Sequence, residues 1–308
     1  MPTSAPIAQP GARFAYTYSA DHPPIGSVAP GQTVAIETVD AFENQLTEPG
    51  HRYSALRGFP FVNPQTGPLI IEGAEPGDTL VAEILAMEIT RDFAVTALIP
   101  GSGLLTGTAR TATLDPPLAE ETRILPIRDG HLVFNDRIAL PVTPFVGTLG
   151  TAPPMEAITA LSPGPHGGNL DCQDTCPGNE IHLPVHSPGA HFFIGDAHAC
   201  QGDGEITGVA AEVPARITLR FRLLKNLPPL AWPRIVSPSH LMVAGSARPL
   251  EDAARIAHRE LVRWIARDHH LSEAEAYHLL GLAGQMRVGN LVNPLYTVVA
   301  KIARSHLH

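Results

Sequence analysis

Between residues 214 and 224 the chain alternates cleanly. Ile217, Leu219, Phe221 and Leu223 fall on one face, and Thr218, Arg220 and Arg222 on the other. A period of two with one polar face predicts a half-exposed β-strand. Residues 79–88 follow the same period but are apolar on both faces, and the turn Glu75-Pro76-Gly77-Asp78 leads into them. That pattern predicts a strand with both faces largely covered. Residues 131–140 read as a strand pair turning at Asn135-Asp136, and residues 180–186 and 190–195 as two further strands. Residues 150–170 hold Pro153, Pro154, Pro163 and Pro165 beside several glycines, which predicts an irregular crossing segment.

A 3.6-residue period emerges only near the end. Leu250, Ala253, Ala257, Leu261 and Ile265 form an apolar stripe over 249–268, with Pro249 placed for a first helical turn. A second helix begins at Ser272, where Ser272 and Glu275 fit a capping box, and Gly281 and Gly284 are its predicted end. No internal repeat is visible.

Composition agrees with a mainly β fold. The 308 residues include 31 prolines and 27 glycines, well above the usual ~12% for the two together, and they are scattered as turn residues are. The formal charge is −9 and the only lysines are Lys225 and Lys301, which argues against nucleic acid and against an anionic membrane surface as partners. No apolar run reaches the ~20 residues of a membrane helix. The opening MPTSAPIAQPGARF has neither a basic nor an apolar leader region, and three cysteines suit a reducing compartment, so a cytoplasmic location is expected.

The chemistry is concentrated between His166 and Glu212, where His166, Asp171, Asp196, His198, Asp203 and Glu205 are crowded among glycines. Asp196 and His198 are two apart, so in extended backbone they point the same way. They could share a metal ion or act as an acid/base pair; a surface salt bridge is the plain structural alternative. Gln201-Gly202-Asp203-Gly204-Glu205 could turn backbone N–H groups toward an oxyanion at Gly202 and place Glu205 as a base, or simply be a hairpin loop. In His166-Gly167-Gly168-Asn169-Leu170-Asp171, Asp171 is a candidate ligand and His166 a candidate ligand or proton donor. Asn169 is a candidate partner for an amide, and the alternative is a capped glycine turn. His182 and His186 read as partly buried hydrogen-bonding groups. Cys172 and Cys176 lack the second pair of a structural zinc site. Cys200 reads as a packing residue.

HGGNLD, then LPV-x-x-PGA, then IGDAHACQGDGEITG-x-A-x-E together resemble the acetamidase/formamidase family of amide hydrolases. EGAEPGDTLVAEI, ETVDAF and the late NLVNP are similar to it as well, so the resemblance runs through nearly the whole chain. It implies hydrolysis of a short amide to carboxylate and ammonia. It also implies a mainly β fold, a jelly-roll-like sandwich with smaller β-barrel and α/β parts, in a homo-oligomer. A divalent metal, zinc or calcium, is implied too. Asp196, His198 and Glu205 carry over from one motif, His166, Asn169 and Asp171 from another, and Asp40 from VDAF. Cys200, the segment DCQDTCPGNE and the doubled Phe192-Phe193 depart from the family pattern and leave the acyl group open.

The expected arrangement is a β-rich lobe over 1–150 and a second lobe over 151–308 that carries the motifs and the helices, joined in one catalytic unit. Asp171, Asp196, His198 and Asp40 are the candidate metal ligands. Glu205, His166, Asp196 and His198 are the candidate catalytic groups, and Gly167, Gly168, Asn169 and Gly202 the candidate carbonyl or oxyanion partners. The rival reading is a small-molecule-binding protein with a structural cation.

Overall fold

The computed structural model describes residues 14–105 and 118–307. Residues 1–13, on which most of the leader expectation rests, lie outside the described residues, as do residues 106–117 of the β-rich stretch. Two large sheets dominate. One has eight strands, in the spatial order Gln285–Asn290, Tyr296–Ala303, His240–Ala247, Arg234–Val236, Glu180–Pro184, Thr79–Ile89, Ala215–Leu224 and Thr33–Thr38. The other has ten and is built around Phe192–His198, which pairs with Phe145–Gly150, Gln65–Ile71 and Glu212–Val213. Pairing is antiparallel throughout these strands except where Gly26–Val28 runs parallel to Gln65–Ile71. Strands from the first and second halves of the sequence lie side by side in both sheets.

One core fills the space between the sheets. Ile36, Leu80, Ile84, Ile217, Leu219 and Phe221 from the eight-stranded sheet meet Leu69, Ile71, Val146, Leu149, Phe192 and Ile194 from the ten-stranded one. This is the interdigitated interior of a sandwich. The alternation over 214–224 is realised as predicted, with Ile217, Leu219 and Phe221 buried and Arg220 exposed. The strand Thr79–Ile89 is covered on both faces only in its first half; beyond Ile84 it runs past the core, and Leu85, Ala86 and Glu88 are exposed. The hairpin at Asn135 forms, with the Asn135 side chain accepting from the N–H groups of Arg137 and Ile138.

The segment 150–170 is mostly irregular, as predicted, but it does not simply cross over. It leaves the strand Phe145–Gly150, loops out and returns, so that Gly167–Asn169 pairs with the strand it left (Thr148 opposite Asn169). The HGGN motif is therefore a buried strand and not a surface turn.

Helix α1 (Leu250–Asp268) buries Ala253, Ala257, Leu261 and Ile265 against Leu241, Val243, Val298 and Ala300 of the eight-stranded sheet. Gly245 makes that approach possible, since a Cβ there would lie 2.6 Å from both Ala253 O and Ala257 N. Pro249 is the residue before the helix and not part of its first turn. Helix α2 (Glu273–Ala283) has the capping box at Ser272 and Glu275 in both directions. It ends at Gly284, and Gly281 lies inside it. Among the described residues no helix is long and apolar enough to cross a membrane. All three cysteines are free.

Candidate active site

The strand Phe192–His198 is buried from end to end in the middle of its sheet. His198 stands opposite Phe145 on one side and Glu212 on the other. The i, i+2 spacing does bring Asp196 and His198 together: His198 Nε2 lies 3.2 Å from Asp196 Oδ1. The same nitrogen lies 3.4 Å from Glu212 Oε1. Asp171 arrives from the end of the Gly167–Asn169 strand, its N–H held by Gly147 O at 3.0 Å. Glu205 arrives from the turn after Gly204, its N–H held by Gly202 O at 3.1 Å.

Ligand atoms of Asp171, Asp196 and His198 fall within 4.8 Å of one another, and so do those of His198, Glu205 and Glu212. Two potential donor sets thus share one imidazole. All five residues are buried. Gly147 makes room for them, because a Cβ there would sit 2.8 Å from Asp171 Oδ1, from Asp196 Oδ2 and from His198 Cε1.

A polar amide layer surrounds the acids. Asn293 Nδ2 donates to Asp171 Oδ2 at 2.6 Å. Asn63 Nδ2 donates to Asp196 Oδ2 at 3.2 Å, and Thr148 Oγ1 donates to the same oxygen at 2.9 Å. Asn169 satisfies its neighbours with its nitrogen turned to the acids, donating to Asp196 Oδ2 at 2.9 Å and to Asp171 Oδ1 at 3.2 Å. Gln201 Nε2 ties the loop in place by donating to Asp171 O and Gly289 O, both at 3.0 Å.

Asp171, Asp196, Glu205 and Asn63 all have positive φ, between 47° and 57°. Left-handed backbone at a non-glycine residue costs about 1–3 kcal/mol and persists where the surroundings enforce it. Four such residues around one point mark a functional centre.

The electrostatics are unusual for a protein interior. Burial, and then the Asp196 charge, push the Asp171 carboxyl up to about 7. Burial pushes Glu212 up to about 7 as well, against the pull of His198. Burial and the neighbouring Asp171 hold Glu205 well above the carboxylate range. Burial disfavours a charged His198, yet Glu212 and Asp196 outweigh it and hold the imidazole well above its ordinary value. Four carboxyl groups thus share one imidazole, and no Lys or Arg is among the residues lining the cavity above them.

That imbalance fits a divalent cation. Carboxylate oxygens and one imidazole are the donors zinc takes, and the oxygens alone would suit calcium. Glu212 Oε2 and His198 Nδ1 have no hydrogen-bond partner among the described residues.

Over the cluster lies a cavity of about 170 Å³. Asn63, Asn169, Asp196, Glu205, Glu212 and Asn293 form its floor, and Phe42, Tyr53, Val62, Ile99, Leu161 and Val209 are its larger apolar wall residues.

Several expected site residues stand elsewhere. Asp40 is a turn cap: its Oδ1 accepts from the N–H groups of Phe42 and Asn44, and Arg91 Nη1 sits 2.8 Å from its Oδ2. With both oxygens engaged it is outside both donor sets. His166 packs edge-on against Tyr18, ring centroids 4.8 Å apart, and makes no hydrogen bond to the acids. The Gly167 N–H is committed to Gly164 O at 3.1 Å, so it is not free for an oxyanion. Gly168 lies in the same buried strand, against the His166 ring, and does not line the cavity. Gly202 and Asp203 are exposed, and of the loop's two glycines only Gly204 has positive φ. Glu212, Asn63, Thr148, Asn293 and Gly147 belong to the site without having been singled out. The NLVNP motif contains Asn293, and ITG-x-A-x-E ends on Glu212, so the resemblance carried a signal for those two.

A model of the acetamidase/formamidase family matches residues 3–161 and 154–302. The chain belongs to that family. The crystal structure of an acetamidase from Yersinia enterocolitica superposes with a TM-score of 0.91 at 42% identity, covering 96% of this chain and 90% of that one. An acetamidase from Bacillus halodurans superposes with a TM-score of 0.87 at 35% identity, covering 95% and 96%. A putative formamidase from Schizosaccharomyces pombe is 29% identical over 261 residues, and the match spans 67% of this chain and 63% of that protein's length. The GDAH-x-x-QGDGE motif that signals the family holds Asp196, His198 and Glu205, which the fold gathers at the cavity floor.

Proposed function

We propose that this member of the acetamidase/formamidase family hydrolyses a short-chain amide to the carboxylate and ammonia, and that it works with a divalent cation. The observation that carries the reading is the cluster of four buried carboxyl groups around His198 at the floor of a small cavity. Buried charge without a counter-charge is too costly to persist as a packing solution. Asp171, Asp196 and His198 would hold the ion, and the imidazole favours zinc over calcium. A bound divalent cation would polarise the amide carbonyl and acidify water at the site.

The protein's own groups cover the remaining tasks. Asn63 and Asn293 orient the acids, their amide nitrogens donating to Asp196 and Asp171 at the floor. Glu205 is the proton carrier. Burial makes it a stronger base once ionised, a state that a bound divalent cation would favour, so it could take a proton from water as the C–O bond forms and give it to nitrogen as the C–N bond breaks. The sum is R–CO–NH2 plus water giving R–COOH and NH3. The apolar wall excludes bulk water and so strengthens each of these interactions.

Ammonia release from a panel of short amides, with and without chelator, tests both parts. Ammonia that disappears on chelation and returns with zinc is the expected result. Full activity of a verified metal-free preparation would overturn the metal assignment. No ammonia from any amide with metals supplied would overturn the hydrolase reading and leave a binding protein with a structural cation.

A further inference from the structure

Resting on the amide-hydrolase reading, the shape and chemistry of the cavity go further and select among amides. We infer that this site prefers an uncharged aliphatic amide with an acyl group of about four carbons over formamide and over amides that carry a carboxylate.

The cavity is divided by chemistry. Every acid and amide group that lines it is at the floor, where a carboxamide would place its oxygen and nitrogen. The rest of a substrate must face Phe42, Tyr53, Val62, Ile99, Leu161 and Val209. Phe42 and Val209 belong to an apolar cluster with Leu46, Val95 and Ala97, and Tyr53 and Ile99 pack against it, so this wall is backed by side chains and not by solvent. A mainly apolar, supported wall gains from contact with hydrocarbon, and its polar groups are the hydroxyls of Tyr53 and Ser102.

Volume admits that length. The cavity is about 170 Å³. At about 30 Å³ for each water-sized unit, that is room for about six heavy atoms. Formamide has three heavy atoms and leaves the wall unfilled. Butyramide has six.

Charge sets the second limit. Among the described lining residues none is Lys, Arg or His, and the charged ones are Asp196, Glu205 and Glu212, with Asp171 and His198 just beneath them. An amide with a carboxylate at its far end would bring a negative charge into that wall, away from the ion site, where no described lining residue offers a cation to meet it.

The test is kcat/KM for formamide, acetamide, propionamide, butyramide, hexanamide and succinamate on the metal-loaded protein, with calorimetric titration of the same compounds. From acetamide to butyramide kcat/KM should rise about fourfold for each methylene, the change that corresponds to about 0.8 kcal/mol. Succinamate, which matches butyramide in chain length but carries the charge, should fall at least tenfold below it. In Ile99→Phe the butyramide-to-formamide ratio should drop at least tenfold, and in Ile99→Ala the optimum should move toward hexanamide. A ratio that does not move in either variant overturns the inference, as does formamide equal to or better than butyramide, or succinamate equal to butyramide. If no amide is turned over, the hydrolase reading falls, and titration decides this inference separately: tighter binding of butyramide than of formamide upholds it, and equal binding overturns it.

Discussion

On the exposed face of the eight-stranded sheet, acids and arginines pair across strands, two of the pairs on neighbouring strands and the third across the strand Thr79–Ile89. Arg216 meets Glu37 at 2.6 Å, Arg220 meets Glu83 at 2.7 Å and Arg222 meets Glu180 at 2.5 Å. At the cavity floor the same residue types are arranged in the opposite way. Asp171, Asp196, Glu205 and Glu212 are buried together, without Lys or Arg among the lining residues and with His198 as their shared partner. The surface ladder is an arrangement that favours folding slightly, because each charge is answered and water screens the remainder. The floor is an arrangement that opposes folding of the metal-free protein. A chain tolerates that where the charges are needed for binding or for chemistry.

The largest expected effect separates the two settings through rate. Glu205→Gln keeps the shape of the buried loop residue and removes the proton carrier, so kcat for amide hydrolysis should fall about 10²–10⁴-fold with little change in melting temperature. Near-normal turnover would remove Glu205 from the chemistry. A large loss of melting temperature would make it a structural residue of the turn.

Next comes stability without metal. Asp171 and Glu212 keep their protons to about pH 7 in the fold. In the unfolded chain such groups release them near pH 4. Their contribution is therefore complete below about pH 4 and is lost as pH rises through 7. Thermal melts of the metal-free His166→Gln protein, a variant that removes the opposing histidine, should show the melting temperature falling as pH rises across that range. Asp171→Asn should flatten the trend and raise the melting temperature at pH 7, while weakening zinc binding in a titration. A variant that loses stability and keeps its zinc affinity would place Asp171 outside the ion site.

His166 gives a buried contrast to the acids, with the opposite sign. Burial, with His186 adding to it, holds the His166 pKa at about 4. Unfolding restores a value near 6.5, so the fold refuses a proton that the unfolded chain accepts. The contribution is whole above pH 6.5 and is lost as pH falls toward 4, by about 3 kcal/mol from a shift of this size. Urea unfolding of the wild type and of His166→Gln at pH 7 and 4.5 reads the difference, and an identical acid slope in both proteins would count against the assignment.

The smallest effect is expected on the surface ladder. Arg220→Ala should cost no more than about 1 kcal/mol in urea unfolding and should leave kcat/KM unchanged. A larger loss would show that the exposed ladder couples to the sandwich core, and the contrast between the two settings would weaken.

Local sequence determined the elements and one half of the centre. A two-residue period marks the strand Ala215–Leu224, a 3.6-residue period marks α1, and Ser272 with Glu275 caps α2, because each signal is complete within one turn or one pleat. The Asp196–His198 pair was legible for the same reason, since two residues of a strand two apart share a face whatever surrounds them. Tertiary structure decided everything that depends on distant pairing. Asn63 reaches Asp196 across 133 positions and Asn293 reaches Asp171 across 122. Glu212 joins His198 only because sheet register sets the two opposite each other. Asp203 and Glu205 belong to one short motif, yet the fold leaves the first in solvent and buries the second. A carboxylate carries no mark in the sequence that says whether a counter-charge will meet it. The strands packed around it settle that, and with it the difference between a surface ion pair and a reaction centre.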